Sequence, residues 1–543
     1  NPYGEPMARL APVLPAVAAG LAVVIQHCRG TGTSDGDFVP FASEVLDGAD
    51  TVEWCARQPW SAGRVGMFGP SYLGMVQLAA AAQGPSPLRA LVPVVAPADY
   101  HWGLAYRQGA FQLGQTMAWH VLKAGQTLAY RAAAGQDVSG DLRSLLGLMA
   151  DSAAGYTHLP LREAPVVSRV LPTWQEWLDH EEWGPFWSQL SYRDRRDQIA
   201  TPALHVGGWF DLFLGGTLDN FVTLSQRAAT QAARDNQRLI IGPWTHTDQT
   251  GTAGDLHFGA VASALAIQVE RSQLDFLVHF LAPGEAAGGP DAAGGTGTAL
   301  DGPRVKLFVM GGAGWRDEDD WPLARTRWAR WFLHSDGTLS PAPPPGEARP
   351  SHYVSDPADP VPTVGGPTLM TGGLGGGVSW MPGARDQRAV EARPDVLSFT
   401  SEVLTSDLEV TGPVSVTLHA ATSAADTDFT AKLVDVWPDG RAMNVVDGIV
   451  RARYRDGTGR ARPVQPGEVC EYTIDLIATS QVFRAGHRLR ADVASSNFPC
   501  YDRNPGNGAP AATATEQDFV VARQTICHDA ARPSYITLPV IPS

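Results

Sequence analysis

Short apolar runs alternate with helical patterns over the first hundred residues of the chain. LAVVIQ (21–26) and RVGMFG (64–69) each lead into a glycine-rich turn, and a helical pattern follows each of them. Parallel strands need a crossover of about a dozen residues, which is usually a helix. The alternation therefore predicts βαβ units and a parallel sheet. TPALHVGGWFD (201–211) and QRLIIGPWTH (237–246) predict that the same sheet resumes later in the chain.

The remaining segments have different patterns. From about 99 to 195, tryptophan-rich helical patterns replace the strand patterns, which indicates a helical cap inserted into the sheet domain. Beyond about 325, short β-rich runs such as PVSVTLHA and FTAKLVDVW alternate with turn residues, as in an all-β sandwich. We therefore predict the first part of an α/β domain at 1–98, the cap at 99–195, the second part of the α/β domain at 196–325 and a C-terminal β domain at 326–543.

Charge and hydropathy exclude two classes of partner. The 41 basic and 56 acidic residues give a formal net charge of −15, so the basic face that binds nucleic acid is not expected. The longest apolar stretch, 10–25, contains two prolines and a glycine, and it is shorter than the roughly 20 residues that span a bilayer. We therefore expect neither a nucleic-acid partner nor a membrane partner.

The five cysteines contain no CxxC pair, which predicts neither a disulfide framework nor a zinc site. They favour a reducing compartment, and hence a cytoplasmic location, although a bridge among Cys470, Cys500 and Cys527 stays open. The chain does not begin with Met, so export after removal of a leader also stays open.

Two serines lie in sequences typical of a catalytic nucleophile. Ser34, in GTSDG (32–36), matches the pattern G-x-S-x-G, but no helical pattern follows it directly. Ser71, in GPSYLG (69–74), has its second glycine one place late, yet it lies between a strand pattern and a helical pattern. That strand–turn–helix setting exposes a nucleophile. We therefore predict that Ser71, and not Ser34, is the nucleophile.

Asp211 and His246 each end a predicted strand. The carboxyl ends of parallel strands gather at one edge of the sheet, where α/β proteins place their sites. Taken singly, Asp211 is more typical of a cap for a helix that begins near Leu212, and His246 of an ordinary loop histidine. The chain order Ser, Asp, His is nevertheless that of α/β-hydrolases, so the three residues predict a catalytic triad.

Several longer segments carry a resemblance to a known family. They are NPYG, RGTGTSDGDF, WSAGRVGMFGPSYLGMVQLAAA, PALHVGGWFDLFLGGTLDNF, GPWTH, VDVWPDGRAMNVVDGIVRARYR and SNFPCYDRNP. Over nearly the whole chain they resemble the cocaine esterase and X-Pro dipeptidyl-peptidase-like serine hydrolases, the CocE/NonD family. The resemblance implies an α/β-hydrolase domain with an inserted helical cap, followed by a C-terminal all-β jelly-roll (galactose-binding-like) domain.

The resemblance also assigns residues to roles. It implies Ser71 as nucleophile, Asp211 as acid and His246 as general base, with an oxyanion hole made by the Tyr3 hydroxyl and the Tyr72 backbone N–H. Family members carry strands ahead of the tyrosine motif, whereas this chain starts two residues before Tyr3. We therefore expect the N-terminal strands to be missing, the sheet edge to be unpaired and Tyr3 to lie on a frayed terminus.

Substrate contacts follow from the same resemblance. Family positions that wall the acyl pocket fall on Trp102, Trp119 and Phe213, although core packing is an equal alternative for the two tryptophans. Aromatic walls favour a flat or branched apolar acyl group. The acidic run of Asp179, Glu181 and Glu182 is typical of a solvated helix face, with binding of a substrate ammonium as the alternative.

The sequence thus predicts a serine carboxylesterase that cleaves esters of small aromatic or branched apolar acyl groups through an acyl-serine. The prediction includes no metal and no cofactor. Two alternatives stay open, an X-Pro dipeptidyl-peptidase and an amino-ester hydrolase or acylase that acts on amides. Carbohydrate binding by the β domain is a third, which the complete triad pattern disfavours. The expected partner is a small-molecule ester or amide substrate, and a homodimer stays open.

Overall fold

A parallel sheet forms the centre of the N-terminal half of the protein. The computed structural model describes residues 1–3, 12–282, 302–369 and 381–542. The strands of this half are β1 (Val65–Pro70), β2 (Leu88–Val94), β3 (Tyr106–Arg107), β4 (Ala110–Phe111), β5 (Ala203–Phe210), β6 (Gln237–Thr245), β7 (Thr252–Ala253), β8 (Leu256–His257), β9 (Val305–Val309) and β10 (Gly314–Glu318). The sheet order is β1-β2-β5-β6-β9-β10, in which the first five strands run parallel and β10 is antiparallel to β9.

Helices lie around this sheet and form the cap. The helices before the cap are α1 (Val13–Ala18), α2 (Glu44–Ala56) and α3 (Tyr72–Ala81). The cap contains α4 (Leu113–Ala133), α5 (Ser139–Ala150), α6 (Ser152–Thr157), α7 (Val167–Val170), α8 (Thr173–Asp179) and α9 (Pro185–Leu190). Three helices follow the cap, namely α10 (Leu214–Arg227), α11 (Gln231–Asp235) and α12 (Val269–Leu281). The cap core is aromatic, because Trp174, Trp177 and Trp187 are all fully buried.

Helix α3 packs against the end of β2, and Gly74 makes this close approach possible. A Cβ at Gly74 would lie 2.8 Å from the Ala96 Cβ and 3.2 Å from the Val94 carbonyl oxygen. Any larger side chain would push the first turn of α3 away from β2. The glycine therefore helps to fix the turn between β1 and α3, which contains Ser71.

The C-terminal half is built from antiparallel sheets. Its elements are β11 (Arg327–Leu333), β12 (Leu339–Ser340), β13 (Ser351–Ser355), α13 (Arg388–Glu391), β14 (Leu397–Thr400), β15 (Leu408–Thr422), β16 (Asp428–Val436), β17 (Ala442–Arg451), β18 (Cys470–Phe483), β19 (Arg488–Ala494), β20 (Ala522–Ile526) and β21 (Tyr535–Ile541). A seven-stranded sheet follows the order β12-β11-β21-β15-β20-β13, with β18 paired to β15, and a four-stranded sheet follows the order β14-β19-β16-β17. Val416 and Ile474 of the larger sheet share one core with Phe429 and Leu433 of the smaller.

A buried charged contact joins the cap to the C-terminal half. The Arg451 guanidinium, 1% exposed, pairs with Asp428 at 2.9 Å and Asp502 at 2.7 Å. Asp502 also accepts the backbone N–H of Phe111 at 2.9 Å, and the Cys500 carbonyl accepts the N–H of Gly114 at 3.2 Å. The loop that contains Cys500 and Asp502 therefore holds the first turn of α4 in place.

These observations confirm the predicted fold class, an α/β-hydrolase-like domain followed by an all-β domain. The strand predicted over 21–26 is wrong. These residues are not paired with any strand among the described residues, and a cavity of about 500 Å³ lies between them, β1 and α12. An apolar run becomes a strand only where a neighbouring backbone completes its hydrogen bonds, and the described partner of β1 is β2.

Two further predictions concern cysteines and membranes. All five cysteines are free thiols, so the bridge left open among the last three is not formed. Across the described residues, no helix combines the length and the apolar character needed to cross a bilayer.

Candidate active site

Ser71 occupies a strained turn between β1 and α3. Its φ of 57° and ψ of −120° lie in a region that residues other than glycine rarely adopt. Its backbone N–H donates to the Val94 carbonyl at 2.8 Å, which ties the turn to the end of β2. The turn projects the hydroxyl beyond the carboxyl end of the sheet.

Three side chains from neighbouring strand ends form one hydrogen-bonded chain. Nε2 of His246 lies 3.1 Å from the Ser71 Oγ, and Nδ1 lies 2.7 Å from the Asp211 Oδ1. Asp211 and His246 directly follow β5 and β6, which are adjacent in the sheet. The Asp211 carboxylate is fully buried, so it holds the Nδ1 proton and leaves Nε2 free to accept the serine proton.

Ser34 lies in a different environment. Its hydroxyl donates to the His27 carbonyl at 3.0 Å within a loop, and neither a strand nor a helix adjoins it directly. Asp211 does not cap a helix through its side chain either, because α10 begins at Leu214 and has no side-chain cap. The structure thus brings Ser71, Asp211 and His246 together and leaves Ser34 apart.

Tyr3 is buried rather than frayed, so the expectation of a frayed terminus is wrong. Only 8% of Tyr3 is exposed, and its hydroxyl accepts the indole N–H of Trp119 at 3.1 Å. The backbone around it is held by α4, because the Lys123 ammonium donates to the Pro2 carbonyl at 2.6 Å and the Gln126 amide donates to the Tyr3 carbonyl at 3.3 Å. Contacts with a distant helix therefore anchor the residue.

Tyr72 begins α3, immediately after Ser71. As the first residue of the helix, it has a backbone N–H without a partner inside the helix. Its hydroxyl donates to the buried Glu44 carboxylate and accepts the Phe41 N–H at 3.1 Å. Burial raises the pKa of Glu44, and burial followed by the nearby Glu44 charge raises the pKa of Tyr72. These contacts fix the ring and, through it, the start of α3.

A small cavity of about 30 Å³ adjoins Ser71, His246 and Tyr3. Its walls are largely aromatic, and they include the expected Trp119 and Phe213. Trp102 is not among the lining residues, because the end of its indole ring lies beside Gly215, where α10 passes. This position favours the core-packing alternative for Trp102, which is half-buried.

The acidic run does not reach this cavity. Asp179 pairs with Arg162 at 2.7 Å, Glu181 lies 3.7 Å from Arg451, and Glu182 accepts the Ala461 N–H at 2.8 Å. None of the described residues that line the cavity carries a carboxylate, an ammonium or a guanidinium group. The site therefore contains no described carboxylate that would hold a substrate ammonium.

Several lining residues were missed by the sequence analysis, among them Phe41, Thr116 and Trp177. Phe41 comes from the loop before α2, Thr116 from α4 and Trp177 from α8. No motif spans these segments, and only the folded cap brings them together. The richness of the cap in tryptophan was the one sequence feature that pointed to this wall.

Two family models match the chain. The model described as X-Pro dipeptidyl-peptidase (S15 family) matches residues 1–248, and that of the X-Pro dipeptidyl-peptidase C-terminal non-catalytic domain matches residues 298–537. Cocaine esterase from Rhodococcus sp. (strain MB1 Bresler) is 38% identical over 536 residues, which cover 97% of this chain and 89% of that protein.

Solved structures of similar proteins agree with this assignment. An aminopeptidase from the marine sediment archaeon Thaumarchaeota archaeon matches with a TM-score of 0.78 at 27% identity. An α-amino acid ester hydrolase matches with a TM-score of 0.76 at 26% identity. Each match covers 95% of this chain and 85% of the other. The chain therefore belongs to the CocE/NonD serine hydrolases of the X-Pro dipeptidyl-peptidase (S15) family, as its motifs predict.

Proposed function

We propose that the protein hydrolyses carboxylic esters with small acyl groups through an acyl-serine on Ser71. The observation that carries this proposal is the chain of hydrogen bonds from Asp211 through His246 to Ser71, on a strained turn beside an uncharged cavity. Similarity to a protein named cocaine esterase supports an ester substrate.

In this mechanism His246 acts first as base and then as acid. As the Ser71 Oγ attacks the ester carbonyl carbon, Nε2 takes the serine proton, and Asp211 stabilises the imidazolium. The negative oxygen of the tetrahedral intermediate accepts hydrogen bonds from the Tyr72 N–H and the Tyr3 hydroxyl. Collapse of the intermediate breaks the ester C–O bond, and the leaving alcohol takes the proton from His246.

Water then completes the cycle. His246 takes a proton from a water molecule, whose oxygen attacks the acyl carbon of the acyl-serine. The second intermediate expels Ser71, which regains its proton from His246, and the carboxylic acid leaves. His246 accepts one proton in each half-reaction and gives it up again before that half-reaction ends. No other proton carrier is therefore required.

The volume of the cavity favours small acyl groups. A cavity of about 150 Å³ accepts benzene in a protein core, whereas the cavity beside Ser71 measures about 30 Å³. The cavity is therefore smaller than one known to hold a benzene ring. We propose short or branched acyl groups instead, with Trp119 and Phe213 in contact with them.

The charge of the lining residues helps to decide whether the substrate is an ester or an X-Pro peptide. A peptidase that releases N-terminal dipeptides must bind a free ammonium, and a buried ammonium needs a paired carboxylate. The described lining residues supply none. This supports ester hydrolysis over dipeptide release.

One substrate panel tests the proposal. The p-nitrophenyl esters of acetate, isobutyrate and benzoate are compared with an X-Pro p-nitroanilide, using the wild-type protein and the Ser71→Ala variant. We expect acetate and isobutyrate to be hydrolysed fastest and Ser71→Ala to be inactive. Faster cleavage of the X-Pro anilide, or activity retained by Ser71→Ala, would overturn the proposal.

A further inference from the structure

Two buried polar atoms, on residues that line the acyl cavity, have no hydrogen-bond partner among the described residues. They are the Thr116 Oγ1 and the Trp177 Nε1. Thr116 is 2% exposed and Trp177 is 1% exposed. Buried donors and acceptors are almost always paired in folded proteins, so each exception calls for a physical explanation.

The Thr116 hydroxyl does not use the partner that its position on α4 offers. A threonine in a helix commonly donates to the carbonyl four residues earlier. Here the Gln112 carbonyl accepts the backbone N–H of Thr116 at 3.1 Å, and the Thr116 hydroxyl is left unpaired. The hydroxyl thus has no described partner, and its residue lines the cavity.

The Trp177 indole is packed between other aromatic rings. Its ring lies parallel to Trp119 at 6.1 Å and to Phe41 at 6.1 Å. The two other fully buried cap tryptophans both pair their N–H groups, Trp174 with the Leu161 carbonyl at 2.9 Å and Trp187 with the His180 carbonyl at 2.7 Å. The unpaired Trp177 N–H is therefore an exception within its own domain.

These two groups indicate which kind of atom the acyl group should carry. An indole N–H requires an acceptor, and a hydroxyl either donates or accepts. No described lining residue carries a carboxylate, ammonium or guanidinium group, so an uncharged substituent fits better than a carboxylate or an amine. We propose, on the basis of the ester hydrolysis proposed above, that the pocket selects short acyl groups that carry an uncharged oxygen, such as hydroxyacyl or alkoxyacyl groups.

The cavity is also large enough to hold a water molecule, which needs about 10 to 15 Å³. An oxygen on the acyl chain can accept the Trp177 N–H or pair with the Thr116 hydroxyl, whereas a methylene group leaves both groups unpaired. Discrimination between the two kinds of acyl chain follows from this difference.

The test compares two esters of nearly equal shape. The acyl groups of p-nitrophenyl methoxyacetate and p-nitrophenyl butyrate differ by one oxygen in place of a methylene group. The methoxy oxygen also changes intrinsic reactivity, so the measured quantity is the ratio of the two kcat/KM values in each variant relative to wild type. Thr116→Val and Trp177→Phe remove the two polar groups, and Thr116→Ser keeps the hydroxyl.

We expect Thr116→Val and Trp177→Phe each to lower the methoxyacetate-to-butyrate ratio about three- to tenfold, as loss of one hydrogen bond would. Thr116→Ser should keep most of the wild-type ratio. Thr127→Val, on the same helix but outside the cavity lining, is the matched control and should leave the ratio unchanged. Melting temperatures show whether each variant is folded.

Two results would overturn the inference, and a third would overturn its basis. If both substitutions at the wall leave the ratio within twofold of wild type, the groups do not recognise an oxygen. If Thr116→Ser lowers the ratio as much as Thr116→Val does, the effect comes from packing. If the wild-type protein hydrolyses neither ester, the proposed esterase function itself fails.

Discussion

The indole N–H of Trp119 donates to the Tyr3 hydroxyl across 3.1 Å. One lone pair of the phenol oxygen is therefore occupied, while its own proton is free to point into the cavity beside Ser71. Burial raises the pKa of Tyr3 to about 12, so the hydroxyl keeps its proton over the whole range in which an ester assay is practical. Trp119 thus both walls the cavity and orients a hydrogen-bond donor.

Tyr3→Phe should depress kcat far more than it raises KM. The phenol is expected to bind the oxyanion only as charge develops, and loss of one such donor costs about 10²- to 10³-fold in kcat. Steady-state kinetics on p-nitrophenyl acetate measure the split between the two constants. A change in kcat smaller than about threefold would remove Tyr3 from the oxyanion hole.

The Trp119→Phe variant is the natural control for this orientation. It keeps an aromatic wall but removes the donor to Tyr3. If Trp119 orients Tyr3, then Tyr3→Phe should lower kcat by a smaller factor in the Trp119→Phe background than in the wild type. Equal costs in both backgrounds would mean that the hydroxyl is positioned without Trp119.

Ser71→Ala should abolish turnover, whereas Ser34→Ala should not. Loss of the nucleophile costs about 10⁴-fold or more, because no other group forms the acyl intermediate. The Ser34 hydroxyl is engaged with the His27 carbonyl at 3.0 Å, in a loop outside the cavity lining. Labelling with an organophosphate, followed by mass spectrometry, locates the reactive serine. A label on Ser34 would contradict the assignment.

Asp211→Asn should lower kcat about 10⁴-fold without unfolding the protein. An asparagine amide that donates to Nδ1 of His246 favours the tautomer whose Nε2 carries the proton, and that tautomer cannot accept a proton from Ser71. The melting temperature of the variant is the control for folding. Activity within tenfold of wild type would mean that another group orients the imidazole.

Lys123 should make stability depend on pH in an unusual direction. Burial lowers its pKa from 10.5 to about 8, although the nearby Cys28 and Glu44 oppose this shift. Between those two pH values the unfolded chain holds a proton that the folded chain does not, so the free energy of unfolding rises with pH. Below about pH 8 the lysine is charged in both states, and this gain is absent.

Urea unfolding of wild type and Lys123→Met at pH 7, 8, 9 and 10 measures this contribution. The difference between the two free energies of unfolding should move in favour of wild type as the pH rises above 8, because Met binds no proton. Comparison of the two proteins cancels the titration of groups they share. A difference that stays constant across the series would show that Lys123 titrates alike in both states.

The sequence predicted that Ser71, Asp211 and His246 meet, because each follows an apolar run directly. Parallel strands place their carboxyl ends together, so Asp211 and His246 were predictable without knowledge of the cap. Thr116 and Trp177 were not, because they reach the same cavity only through the packing of α4 against α8. These helices lie about sixty residues apart in the chain, and no periodic pattern predicts their packing. Tyr3 was misjudged for the same reason, since Lys123 and Gln126 of α4 hold it.

The contact between the cap and the loop that contains Cys500 and Asp502 has a consequence for how these enzymes diversify. This loop holds the first turn of α4, and α4 carries both Thr116 and Trp119. A chimera that keeps every triad residue but receives a β domain with a different loop here would therefore change the contacts that position α4. The β domain supplies none of the reacting groups, yet it helps to position the helix that lines the cavity.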